Sequence, residues 1–326
     1  MSIHNNKIEL STIELSTNIA NPKQLRQCDI SAYDAIYLGD FSCMDYPNNF
    51  CSHPELLADA LAEIHGAGKK AYLRVYATPG NEDLPEVSEL LDEAVKLPFD
   101  ALEVHNLGVL RMLKERGNTT PIHLGVFGNL YTDATARVLK DYGVTRVYPN
   151  PELSLKEIVY IRDNTPVEVL FPVHGKIPLV ISETCFIIEN SQCATQKVNP
   201  SGKLVCDFPC NQDYWLNRSN GGWVLKDTGR MTLSGKDLCM IEHMPELIAQ
   251  GLCCFYVQSH GESPEYVAET GRLYRAAIER ALSDDALPGP SGLETLARLA
   301  KEGLCNGYYF EGAGQTYLGR DQVVGG

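Results

Sequence analysis

Apolar positions along this chain follow two alternating rhythms. Short runs rich in β-branched and aromatic residues read as strands over 8–15, 35–38, 71–76, 101–105, 122–126, 145–148, 167–173 and 253–258. Between them, apolar residues recur every three or four positions, as on one face of a helix. Over 54–65 this puts Leu57, Leu61 and Ile64 together, and 86–97, 133–142 and 154–163 repeat the pattern. Strands joined by helical crossovers predict a single TIM-like (β/α)8 barrel spanning 1–326, with a doubly wound open sheet as the alternative. One connection breaks the rhythm. The stretch 176–250, between the seventh and eighth strands, is far longer than an ordinary crossover and reads as an insertion. Beyond the last strand lie helix patterns over 264–282 and 293–302, separated by a Pro/Gly-rich linker; residues 287–326 read as a C-terminal extension.

Composition adds two constraints. With 44% hydrophobic and 21% charged residues, the chain can fill a large core. Its formal charge of −14 repels phosphate backbones and argues against a nucleic-acid partner. The first residues are polar, and no run approaches the length of a membrane span, so a cytoplasmic protein with no membrane-spanning segment is expected.

Eleven cysteines are the unusual feature. Without a secretory signal, a disulfide framework is not expected. Cys253 and Cys254 sit in a strand-like run and read as apolar fillers, but the insertion carries Cys185, Cys193, Cys206, Cys210 and Cys239 in polar sequence. Thiolates are soft ligands, and four of them suit an iron–sulfur cluster or tetrahedral zinc. Structural zinc favours paired knuckles. Here one short pair, Cys206-Asp-Phe-Pro-Cys210, is joined by scattered single cysteines, which favours a cluster held in a cleft.

Barrel geometry gathers strand C-terminal ends at one mouth. The polar residues there would be Asp40, Arg74, Tyr76, Glu103, His105, Asn106, Asn129, Asn150, His174 and His260. His174 reads as a general acid/base or substrate donor, or else as a structural histidine bonded to a carbonyl. Arg74 reads as a fork for a substrate carboxylate, or as the partner of a barrel carboxylate. Glu168 reads as pointing into the barrel and pairing there.

Several segments together resemble a known family nearly end to end. They are Asp34-Ala-Ile-Tyr-Leu-Gly39, Asn106-Leu-Gly108, Glu152-Leu-Ser-Leu-Lys-Glu157, Glu168-Val-Leu-Phe-Pro-Val-His-Gly175, Ser234-Gly-Lys-Asp-Leu-Cys239, Ser263-Pro-Glu-Tyr-Val267 and Gly307-Tyr-Tyr-Phe310. They resemble the collagenase-like peptidase family U32, which includes the UbiU and UbiV proteins of oxygen-independent ubiquinone synthesis and several RNA hydroxylation proteins. Pro178 stands where many members have a cysteine, Ser259-His260-Gly261 where many have Glu-Gly-Arg, and Asn150-Pro151 where an arginine is frequent. Tyr37-Leu-Gly-Asp-Phe-Ser-Cys43, Gly175-Lys-Ile-Pro-Leu179 and Thr184-Cys185-Phe186 are more similar to the UbiV branch.

That resemblance implies a [4Fe-4S] cluster on Cys43, Cys185, Cys206 and Cys210, with Cys239 and then Cys193 as reserve ligands. It implies hydroxylation of an aromatic or quinone-like small molecule, with oxygen from a prephenate-like donor and a related family member as heterodimer partner. His174, Arg74 and His260 are the candidate catalytic residues. A non-catalytic cluster-bearing subunit and a tRNA/rRNA hydroxylation protein are the alternatives. A peptidase is disfavoured, because no cysteine-protease motif accompanies the cysteines.

Overall fold

The structure is a computed structural model that describes residues 9–190, 197–198, 204–205, 212–283, 292–312 and 314–323. Seven parallel strands open the chain: β1 (Glu14–Ile19), β2 (Ala35–Leu38), β3 (Lys70–Arg74), β4 (Ala101–Val104), β5 (Ile122–Leu124), β6 (Val144–Val147) and β7 (Glu168–Ile181). Helices α1 (Pro22–Gln27), α2 (Leu57–Gly66), α3 (Leu84–Ala94), α4 (Leu107–Glu115), α5 (Asp133–Lys140) and α6 (Leu155–Asn164) connect them in turn. After β7 come α7 (Phe186–Asn190), β8 (Lys197–Val198), β9 (Leu204–Val205), β10 (Tyr214–Asn217), β11 (Val224–Asp227), β12 (Met231–Cys239) and α8 (Met244–Ala249). The chain returns through β13 (Cys254–Val257), α9 (Pro264–Leu282), α10 (Leu293–Leu299) and β14 (Leu304–Cys305).

Each barrel strand pairs in parallel with the next. β13 lies between β7 and β1, so β1 to β7 and β13 close an eight-stranded ring. The helix starts explain the chain's local obedience to this plan. Asn21, Asn106, Thr132, Ser154 and Ser263 each accept a bond from a backbone N–H in the first turn, and Glu157 completes a capping box with Ser154. Asn106 is thereby occupied as a helix cap, not as a mouth donor. Asn150 likewise accepts from the backbone of Glu152, and Asn129 adopts a left-handed turn.

Two apolar clusters build the core. The larger joins the outer strand faces to the helices. The smaller fills the lumen with Tyr37, Phe41, Tyr72, Tyr148, Leu170, Cys254 and Tyr256. Below them, Arg146 of β6 ties Glu14 of β1 to Glu168 of β7, closing the N-terminal end with ion pairs.

Three sequence expectations shift. The first strand is Glu14–Ile19 rather than 8–15. Ser16, Thr17 and Asn18 look like a strand's polar exit, yet all are buried because the barrel gives them partners: Ser16 donates to the Phe255 carbonyl, Thr17 to that of Val257, and Asn18 accepts from Tyr256 and Ser259. Glu168 pairs as expected, with Arg146, but its side chain is 56% exposed at the strand's start and does not point into the barrel. The seventh strand is fourteen residues long, twice the barrel's height, and its upper half leaves the ring to pair antiparallel with β12. β10, β11 and β12 then form an antiparallel sheet on that extension. Met231 and Leu233 of β12 join the lumenal cluster, so the insertion folds over the barrel mouth.

Candidate active site at the barrel mouth

The mouth is assembled from strand ends and closed by the insertion. At the end of β2, Gly39 turns with φ of 104°, and a Cβ there would collide with the Cys51 thiol; the sharp turn and the tight packing both need glycine. Asn49 fixes the loop that follows. Its amide oxygen accepts from the Asp40 backbone, and its nitrogen donates to the carbonyls of Asp40 and Cys43. Asp40 itself is buried, with one carboxylate oxygen held by Ser42 and the other 3.1 Å from His260 Nδ1. Burial drives the His260 pKa down, and Asp40 opposes that shift.

Beneath this pair runs a second buried line of charge. Arg74, at the end of β3, lies 3.2 Å from Glu103 on the neighbouring β4 and donates to the Tyr256 hydroxyl. Its guanidinium rests against Phe41 and Tyr37. His105 Nε2 donates to Glu103, a tautomer fixed by the Phe127 N–H that its Nδ1 accepts. Burial alone would raise the Glu103 pKa; Arg74 and His105 outweigh it and hold the carboxyl below its usual range. Of its two sequence readings, Arg74 takes the second: the barrel already supplies its carboxylate.

His174 is placed elsewhere. A register shift between β7 and β13 pairs it with Val257, whose side chain faces the outer core, so the His174 ring packs between Tyr266 and Tyr274 of α9. It is fully buried, and Nε2 has no hydrogen-bond partner among the described residues. Burial pushes its pKa down to about 3. Since an unfolded histidine titrates near pH ~6.5, the unfolded chain binds this proton first as pH falls. The stability that His174 contributes is therefore complete above pH ~6.5 and lost progressively toward pH ~3. His174→Phe should flatten the acid limb of a urea-unfolding series by up to about 1.4 kcal/mol per pH unit. An unchanged slope between pH 4 and 6 would mean the ring is charged in the native state.

Of the expected ligands, Cys43 and Cys185 can be located; Cys193, Cys206 and Cys210 lie outside the described residues. The turn joining β11 and β12 brings the two located segments together. The Ser182 N–H donates to the Arg230 carbonyl and the Phe186 N–H to that of Gly229, pinning the Cys185 loop to the turn. A Cβ on Gly229 would lie 2.8 Å from the Cys185 sulfur. Arg230 then extends to the segment past β3, where it donates to the Tyr76 hydroxyl, and the adjacent Ala77 N–H donates to the Phe41 carbonyl in the loop that carries Cys43. Burial pushes the Cys43 thiol up to about 12 and Arg230 opposes the rise.

Cys239 stands apart. The nine extended residues of β12 put it on the order of 25–30 Å from the turn. There it is buried against Tyr274, and burial raises its thiol to about 12. It cannot share a cluster with Cys185. Sequence reasoning did not find Arg230, Lys226 or Glu262. Lys226 of β11 is buried and pairs with Glu262 just past β13, stitching the lid to the mouth. A lysine and an arginine in a long insertion carry no sequence signal of where the chain returns.

Comparison with known proteins follows this geometry. The profile described as peptidase family U32 matches residues 20–318. An uncharacterized protease of Methanocaldococcus jannaschii is 31% identical over 258 residues, which are 76% of this chain and 61% of that protein. The chain thus spans about three fifths of that relative's length. The tRNA hydroxylation protein P of Escherichia coli is 27% identical across 90% of this chain and 74% of its own. The 23S rRNA 5-hydroxycytidine C2501 synthase of the same organism is 23% identical across 87% of this chain and 41% of its own. With most of its length inside the family profile, and the barrel described above, the chain belongs to peptidase family U32.

Proposed function

We propose that this protein is an iron–sulfur protein of oxygen-independent hydroxylation, acting on a planar aromatic or quinone-like acceptor with a related subunit as partner. One observation carries the reading. Cys185 packs on the β11–β12 turn, and Arg230 of that turn, which donates to Tyr76, acts on the charge of Cys43, 142 positions away from Cys185 in sequence. The surroundings fit a thiolate-bound cluster: Arg230 Nε is a buried polar atom without a hydrogen-bond partner among the described residues. Cys43 and Cys185 would hold the group from the described side, with Cys206 and Cys210 as the other proposed ligands.

A bound cluster supplies one-electron or Lewis-acid chemistry at iron. The chain's own residues do the rest. Phe127, part-exposed and packed edge-on against the buried Phe41, gives the mouth an aromatic face for a flat ring. The Asp40–His260 pair can take up and return a proton at His260, with Asp40 stabilising the imidazolium. Arg74 and Glu103 hold the floor of the site in one arrangement. The lid strands exclude water from above.

Proteolysis is disfavoured by the same geometry. A nucleophilic cysteine needs a base beside it and a lowered pKa. Among the described residues no hydrogen bond joins a cysteine to a histidine; burial raises Cys43, Cys51 and Cys239, and Cys253, lowered to about 7 by its hydrogen bond with Cys254, has no such base.

A second reading, RNA hydroxylation, is favoured by the two Escherichia coli relatives, a tRNA hydroxylation protein and an rRNA hydroxycytidine synthase. The charge of −14 weighs against it. Deleting the gene in its native host, growing cells without oxygen and profiling quinones and RNA nucleosides by mass spectrometry separates the two. Build-up of an under-hydroxylated quinone precursor supports the first reading, and loss of a hydroxylated nucleoside supports the second. If neither pool changes, both fail.

A further inference from the structure

The β11–β12 turn does more than close the mouth. Arg230 is its only guanidinium, and four features converge on that side chain. Nη1 donates to the Tyr76 hydroxyl at 2.5 Å. The same nitrogen is 3.6 Å from Glu183, two residues before Cys185. The guanidinium lies 5.9 Å from the Tyr76 ring centre. Nε is buried and has no hydrogen-bond partner among the described residues. Its backbone carbonyl meanwhile accepts from Ser182, just past β7 and three residues before Cys185. One residue therefore touches the Cys185 loop through both main chain and side chain, and through Tyr76 it holds the segment past β3, whose Ala77 N–H donates to the Phe41 carbonyl two residues before Cys43.

We propose that Arg230 is the positioning cation of the cysteine site: it holds the Cys43 and Cys185 loops in register and offsets the negative charge of a cluster bound between them. This rests on the iron–sulfur reading above. The physical case is one of charge. Four thiolates bring more negative charge than the cluster's iron and sulfide cancel, and a reduced cluster carries one charge more. In a partly buried site, a fixed guanidinium favours the reduced form over the oxidised one, and an N–H aimed at sulfur does the same. Tyr76 and Glu183 keep the side chain extended, so that its orientation does not depend on the cluster. Arginine suits this role because its planar fork can serve Tyr76 and a sulfur together, which the point charge of lysine cannot.

The test is an anaerobic, EPR-monitored redox titration of the full-length protein. Parent, Arg230→Gln, Arg230→Lys and Tyr76→Phe are compared, with iron and sulfide counted for each. Arg230→Gln is expected to shift the reduction equilibrium toward the oxidised form at least tenfold, which for a one-electron couple is 59 mV lower. Arg230→Lys, which keeps the charge, should recover part of that shift. Tyr76→Phe, which frees the guanidinium without removing it, should give a smaller displacement in the same direction. It also carries the measurement if Arg230→Gln cannot be loaded. A merely structural arginine would alter cluster content or melting while leaving the potential in place. Unchanged potentials in a cluster-bearing series overturn the role of Arg230 and leave the iron–sulfur reading intact. A parent chain that holds no iron after anaerobic reconstitution removes both.

Discussion

Replacing Arg74 with methionine is expected to lower the free energy of unfolding by about 3–5 kcal/mol, the range for stranding one partner of a buried ion pair. Both members lie within the barrel, each less than 5% exposed. Without the guanidinium, Glu103 keeps His105 as its one charged or donor partner among the described residues, and its carboxylate stays buried. The Tyr256 hydroxyl loses a donor, though it still reaches Asn18. The double variant Arg74→Met/Glu103→Leu should recover most of the loss, because replacing both charges removes the penalty together with the attraction. Urea-unfolding midpoints of the two singles and the double decide this. A double variant as unstable as the sum of the singles would show that the two side chains act independently.

Iron content should divide the cysteines into two groups. Cys43→Ala and Cys185→Ala, purified without oxygen, are expected to retain less than about a tenth of the parent's iron, since loss of one thiolate opens the cluster to exchange and oxidation. Cys239→Ala should retain all of it, because its sulfur lies at the far end of β12 against Tyr274. Visible absorption and sulfide counts on the same samples give the check. The grouping fails if Cys239→Ala loses the iron, or if Cys43→Ala keeps it. Either result would move the metal site away from the β11–β12 turn.

Much of the architecture was written in local sequence. Six of the eight barrel strands lie within a few residues of the apolar runs that announce them, and α9 coincides with its pattern over 264–282. The reason is that strand period and helix caps are properties of neighbours in the chain, as Ser154 with Glu157 and Ser263 with Pro264 illustrate. The insertion was visible as length alone, and its cysteines as chemistry without placement.

What the tertiary structure decided was direction and partnership. His174 stands at a strand end in sequence, but a register shift of one position turns it from the mouth to the helix layer. The run Ser16-Thr17-Asn18 became interior only because β13 and its tyrosine supply partners more than 230 residues away. The lid over the mouth depends on β7 continuing beyond the ring to receive β12, a pairing that no local pattern encodes. Sequence by itself determined the family, the barrel and the residue types available for chemistry. Which of those residues meet was left to strand register and to the return path of a long insertion, since contacts between distant segments are set by packing rather than by neighbours in the chain.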